Sequence, residues 1–130
     1  LSVVSQEPIE IEPNPENQRV PGVFVFRGDA AILYFNCEYL HDRFIEMLNR
    51  QDPRAKLAIW SLSTCAAVDL AGAEMLLHLR DELQHRGVEL HLAEARGPVR
   101  DNLRQAGLEA HFGAIEANAS IAAVILAHAA

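Results

Sequence analysis

Apolar positions along the chain follow two rhythms, one of period two and one of period near 3.6, and the switches between them predict the elements. Val23–Arg27 (VFVFR) and Ala31–Phe35 (AILYF) are short runs of β-branched and aromatic residues, and each predicts a strand. Gly28-Asp29 between them predicts a tight turn, so the pair reads as a hairpin. The period then changes: Leu40, Phe44, Met47 and Leu48 share one face of a predicted helix over Cys37–Arg50, with Asn36 as its cap and Gln51-Asp52-Pro53 as its stop. Lys56–Leu62 (KLAIWSL) predicts a third strand, buried on both faces for part of its length. After a loop over Ser63–Val68, the residues Met75, Leu76, Leu79 and Leu83 form the inner stripe of a helix over Gly72–Arg86. Glu82 and Arg86 stand four apart on its outer face, and Gly87 closes it.

Val88–Ala93 alternates cleanly, with Val88, Leu90 and Leu92 facing one way and Glu89 and His91 the other, which predicts a fourth strand. Gly97-Pro98 opens another helix, ending near Gln105-Ala106-Gly107, and a last one spans about Ser120–Ala129 with Ile121, Val124 and Ile125 on one side. The order β-β-α-β-α-β-α-α requires right-handed βαβ crossovers. The expected fold is therefore α/β: a small mixed sheet of four to five strands with helices packed against it. Residues 1–19 differ from the rest. Pro8, Pro13 and Pro15 fall among Glu7, Glu10, Glu12 and Glu16, which excludes a helix and leaves room for one edge strand around Ile9–Ile11. The expected division is a proline- and acid-rich lead-in over 1–19 and one domain over 20–130.

Composition narrows the function classes. Half of the 130 residues are hydrophobic, enough for a real core. The net charge of −7 and the absence of a basic patch argue against nucleic acid and against anionic lipid. The two cysteines, Cys37 and Cys65, belong to no CxxC pair, and a reduced, cytosolic compartment suits them. No signal peptide is visible, and the longest apolar stretch, Ala119–Ala127, falls well short of the roughly 18–20 residues that a membrane span needs. The chain begins at Leu1, which suggests a piece of something larger.

Candidate chemistry is sparse. There is no GxSxG, HExxH or phosphate-binding glycine loop, and none of the six histidines stands at a metal-ligand spacing from a second ligand. His78 and His85 read as solvated surface residues. Cys65 precedes a helix start, where a thiol can be activated, but no histidine is near in sequence to serve as its base, and a small buried residue is the simpler reading. Gly97 with Arg100 forms a candidate weak anion site at a helix N-terminus, set against an ordinary strand-to-helix connection. No catalytic residue, metal or cofactor is assigned. Asp69 is the lone carboxylate of the strip AAVDLAGA, and its position predicts a cap that accepts from free N–H groups at the start of the Gly72–Arg86 helix.

Three blocks taken in order, Pro21–Tyr39 (PGVFVFRGDAAILYFNCEY), Ala67–Glu74 (AVDLAGAE) and Gly97–Leu108 (GPVRDNLRQAGL), resemble the STAS domain shared by sulfate transporters and anti-sigma-factor antagonists. The first block, with Val20-Pro21-Gly22, Arg27, Phe35-Asn36 and Glu38-Tyr39, is similar to the SulP transporter branch, and the likeness covers about residues 20–110. It implies a non-enzymatic regulatory and interaction domain on the cytoplasmic side of the plasma membrane. The implied partners are the membrane domain of the same transporter, soluble regulatory proteins and a second copy of the chain. The alternative it leaves open is a free-standing antagonist-like module. In the antagonists the corresponding loop carries a phosphorylated serine after the aspartate. Here Asp69 and Gly72 keep the frame while Leu70 and Ala71 occupy the hydroxyl positions, and the family's strand aspartate falls at Ser61. The resemblance therefore implies an interaction loop at Asp69, Leu70, Ala71 and Gly72 with no phosphate acceptor at Leu70.

Overall fold

The computed structural model describes residues 20–28, 30–113, 115 and 120–129. The expected lead-in and its edge strand lie outside these residues. The elements are β1 (Val23–Arg27), α1 (Cys37–Gln51), β2 (Leu57–Ser61), α2 (Leu70–His85), β3 (Glu89–Ala93), α3 (Gly97–Gln105), α4 (Glu109–Phe112) and α5 (Ile121–Ala129). The strands form one sheet in the order β1-β2-β3, parallel throughout, with Val25 beside Ile59 and Ile59 beside His91. Parallel neighbours need crossovers, and α1 and α2 supply them.

Helices cover both faces of the sheet, which is why every residue of β2 is buried. On one face Phe24, Phe26, Ala58, Trp60 and Leu90 meet the inner stripes of α1 and α2, and Val99, Leu103, Leu108 and Ile115 extend the same core. The Phe44 ring stacks on Trp60 with centroids 5.3 Å apart and planes 9° from parallel, and Phe24 and Phe26 meet Phe44 edge-on. On the other face Leu57, Ile59 and Ala93 pack on Ile121, with Val124 and Ile125 beside them. The outward face of β3, which alternation marked as the wetter one, is thus the seat of α5.

The described sheet has three strands, fewer than the four to five expected, and it contains no antiparallel pair. The difference lies in Ala31–Phe35, which is not a hairpin strand. Only Ile32 pairs, as a parallel bridge to Val68. Asn36 explains the break. Its Oδ1 accepts from Leu33 N (2.9 Å) and its Nδ2 donates to the Ala31 carbonyl (2.8 Å), folding the strip into a turn. The same bonds use up the side chain, so Asn36 occupies the N-cap position of α1 without capping it. The C-terminal end of α2 follows expectation: Gly87 takes φ +80°, and Val88 N and Gly87 N donate to the carbonyls of Leu83 and Gln84.

Glu82 and Arg86 do not pair along α2 as their spacing suggested; each reaches across to α1. Arg86 Nη2 donates to Asn49 Oδ1 at 2.7 Å. His41 lies between Glu82 (2.7 Å) and Asp42 (2.9 Å). Burial pulls the His41 pKa down, but the hydrogen bonds to Glu82 and Asp42 outweigh it and hold the group above its ordinary value. A raised folded-state pKa adds stability that is complete below the unfolded value, about 6.5, and is lost as the pH rises through the folded value. His41→Gln is expected to flatten that part of the stability–pH curve in urea denaturation between pH 6 and 8.

Candidate functional site

The three parallel strands end together at Arg27, Ser61 and Ala93, and α2 and α3 begin at that end of the sheet. Loops at the carboxyl ends of parallel strands are where α/β folds place their recognition surfaces. Here side chains tie the loops to one another. Thr64 Oγ1 donates to the Gly28 carbonyl (3.1 Å), Arg96 Nε to the Ser63 carbonyl (2.8 Å), and Val68 N to Asn102 Oδ1 (3.1 Å). Ser61, buried at the end of β2, donates to Glu94 Oε1 at 2.8 Å. Glu94 has φ +62°, a conformation uncommon for a residue with a side chain, and this bond helps to hold it there. The position of the family's strand aspartate is thus a hydroxyl that fastens β2 to the loop after β3.

On this scaffold Asp69 is the N-cap of α2. Its Oδ1 accepts from Gly72 N at 2.8 Å, as the sequence predicts. Its Oδ2 accepts from Tyr34 N, also at 2.8 Å, a contact across 35 positions that local spacing could not reveal. One carboxylate therefore caps a helix and fastens the turn of residues 31–36 against it. Asp69→Ala is expected to cost about 2 kcal/mol, the upper end of the cost of losing a helix cap, in chemical denaturation. Asp69→Asn, which keeps an acceptor oxygen for Gly72 N, should recover most of it.

Helix α2 begins at Leu70, two positions before the predicted start, so Leu70 and Ala71 belong to its first turn and not to a loop. Gly72 is buried there against the Ile32 backbone: a Cβ on it would stand 2.2 Å from the Ile32 carbonyl oxygen. Leu70 points outward and is 65% exposed. Tyr34, whose N–H the Asp69 carboxylate accepts, and Phe35 are 76% and 69% exposed, and their rings meet edge-on at 5.5 Å. Tyr39, on the first turn of α1, is also exposed. Sequence reasoning missed these aromatics because it placed Tyr34 and Phe35 in a strand. The available signal was Asn36, whose short amide competes with strand pairing.

The remaining candidates are dispersed. Cys65 is buried and its Sγ faces the Ala67 carbonyl at 3.3 Å; burial pushes its thiol pKa up, away from thiolate chemistry. Gly97 and Arg100 come together at the start of α3, where Arg100 Nη1 donates to the Ala95 carbonyl at 3.3 Å and so serves the turn itself. Ser63 and Thr64, the hydroxyls nearest the family's phosphorylation position, both lie within the hydrogen bonds of the loop scaffold. His78 and His85 are exposed on α2. Among the described residues no group of three or more metal-ligating side chains is arranged to hold an ion, and no helix is long and apolar enough to cross a membrane.

The described residues form a small parallel sheet with a capped, glycine-tight central helix starting at its carboxyl end. The family model for the STAS domain matches residues 14–122, and the chain belongs to that family. It is 32% identical over 93 residues to Sulfate transporter 1.3 of Arabidopsis thaliana, covering 65% of this chain and 14% of that protein. Its fold superposes on the murine Solute Carrier 26 family member A9 anion transporter with a TM-score of 0.71 at 21% identity, over 96% of this chain and 21% of that one. It superposes on the SulP transporter STAS domain from Vibrio cholerae with a TM-score of 0.62 at 16% identity, over 88% of this chain and 90% of that one. The chain spans 14% to 16% of the length of the curated relatives it matches.

Proposed function

We propose that this chain is the cytosolic STAS domain of a SulP-type anion transporter. It works there as a non-enzymatic regulatory domain that docks on the membrane domain of the same protein through the first turn of α2 and the turn before α1. The observation that carries this reading is the exposed Leu70. The frame of the phosphorylation switch is kept by Asp69 and Gly72, but the acceptor position carries an exposed apolar side chain, and Tyr34 and Phe35 are exposed on the turn that Asp69 fastens. Apolar and aromatic groups at the centre of an interface supply packing energy without a charge to switch. Kinase control at this position is replaced by constitutive contact. The raised Cys65 thiol pKa supports the non-enzymatic part of the reading.

The coding sequence upstream of Leu1 tests the transporter assignment. Several hundred preceding residues with repeated apolar spans are expected. A start codon immediately before Leu1 would favour a free-standing antagonist-like module instead.

A further inference from the structure

The opposite end of the sheet carries a cavity of about 330 Å³ that plays no part in the reading above. Lys56, just before β2, and Glu89, the first residue of β3, line it, and the backbone bond from Glu89 N to the Lys56 carbonyl (2.9 Å) fixes them together. Arg80 and Gln84, one helical turn apart on α2, and His128, in the last turn of α5, also line it. Val88 and Leu90 supply apolar lining. The volume falls at the lower end of the range of small-molecule sites.

The lining is electropositive in a chain of net charge −7. Among the described residues no ion pair involves Lys56. The Arg80 guanidinium is steadied over the Phe112 ring at 5.9 Å, with Nη1 at 3.3 Å from Asp81. Glu89 is the one acid of the lining, and it is engaged: its Oε1 meets His128 Nδ1 at 2.8 Å and His91 Nε2 at 3.1 Å. Those hydrogen bonds, His128 first and His91 second, hold the Glu89 pKa below the ordinary carboxylate range, so it stays a partner for the histidines.

We propose that this cavity binds an oxyanion of the sulfate or phosphate class between Lys56 and Arg80, with the Gln84 amide as a further donor. Lysine and arginine supply charge-assisted hydrogen bonds to such an anion. The lining alone motivates this site, and it stands whether or not the chain is a transporter domain.

The test is titration of the ¹⁵N-labelled 130-residue chain with sodium sulfate at neutral pH and fixed ionic strength under chloride. Saturable amide shifts are expected at Arg80, Gln84 and Gly87–Leu90. Lys56→Gln, on an exposed side chain, should weaken binding about tenfold while leaving the spectrum folded. Parallel titrations with inorganic phosphate and with ATP separate a free ion from a phosphoryl group on an organic molecule. Saturation by either at the same amides supports the site. Shifts that stay linear to tens of millimolar for all three ligands, shifts centred on Gly97–Arg100, or unchanged affinity in Lys56→Gln would overturn it.

Discussion

Gly72→Ala is expected to destabilise the domain by on the order of 3 kcal/mol, although the same exchange inside an ordinary helix is favourable by about 1 kcal/mol. The sign is reversed by one contact. A Cβ at position 72 would lie 2.2 Å from the Ile32 carbonyl oxygen and 2.9 Å from both its carbonyl carbon and its Cγ2. A side chain could rotate away from such a clash, but a backbone carbonyl cannot. Ile32 is also held on both sides: its N–H donates to the Ala67 carbonyl and its own carbonyl accepts from Asp69 N. Relief would require α2 to withdraw from the 31–36 turn, breaking the cap and the Tyr34 N bond to Asp69 together. Because a domain of this size is stable by only about 5–15 kcal/mol, the loss should be plain in the urea midpoint. A variant as stable as the parent, or more so, would show that α2 does not sit this close to Ile32.

The same contact explains what the sequence could and could not convey. α1, α2, β3 and α5 follow from short-range periodicity, β2 from an unbroken apolar run, and α3 from the Gly97-Pro98 start. The cap at Asp69 follows too, since the carboxylate and the Gly72 N–H that donates to it are three residues apart. The second bond of Asp69, to Tyr34 N, spans 35 positions and depends on how β1, the turn and α2 pack. The hairpin reading failed at Ala31–Phe35 because a run of apolar residues fits a strand as well as an irregular segment. Asn36 decided the matter through bonds to Ala31 and Leu33. The outer-face charges were misassigned for a related reason. Glu82 and Arg86 have the spacing of a pair, yet α1 offers His41 and Asn49 as partners across the helix interface. The short helix α4, Glu109–Phe112, lacks enough turns to leave a period in the sequence. The exposed aromatics were hidden by composition alone: Tyr34 and Phe35 look like core until the turn that carries them is known.

The reading of this domain as a docking module turns on Leu70, and a substitution there separates function from folding. Leu70 is 65% exposed, so replacing it removes little buried surface. An aspartate in the first turn of α2 meets the positive end of the helix dipole, and it should stabilise the helix by about 0.3–1 kcal/mol, not weaken it. The same carboxylate would carry a charge into the proposed apolar docking contact at Leu70, where losing an anchor costs about 2 kcal/mol or more. The most direct measurement is anion uptake by the full-length transporter carrying Leu70→Asp, at matched membrane abundance, beside the denaturation curve of the isolated domain. Docking through this surface requires uptake to change about tenfold or more while the domain is at least as stable as the parent. Uptake equal to the parent's at normal membrane abundance, with the domain folded, would contradict it.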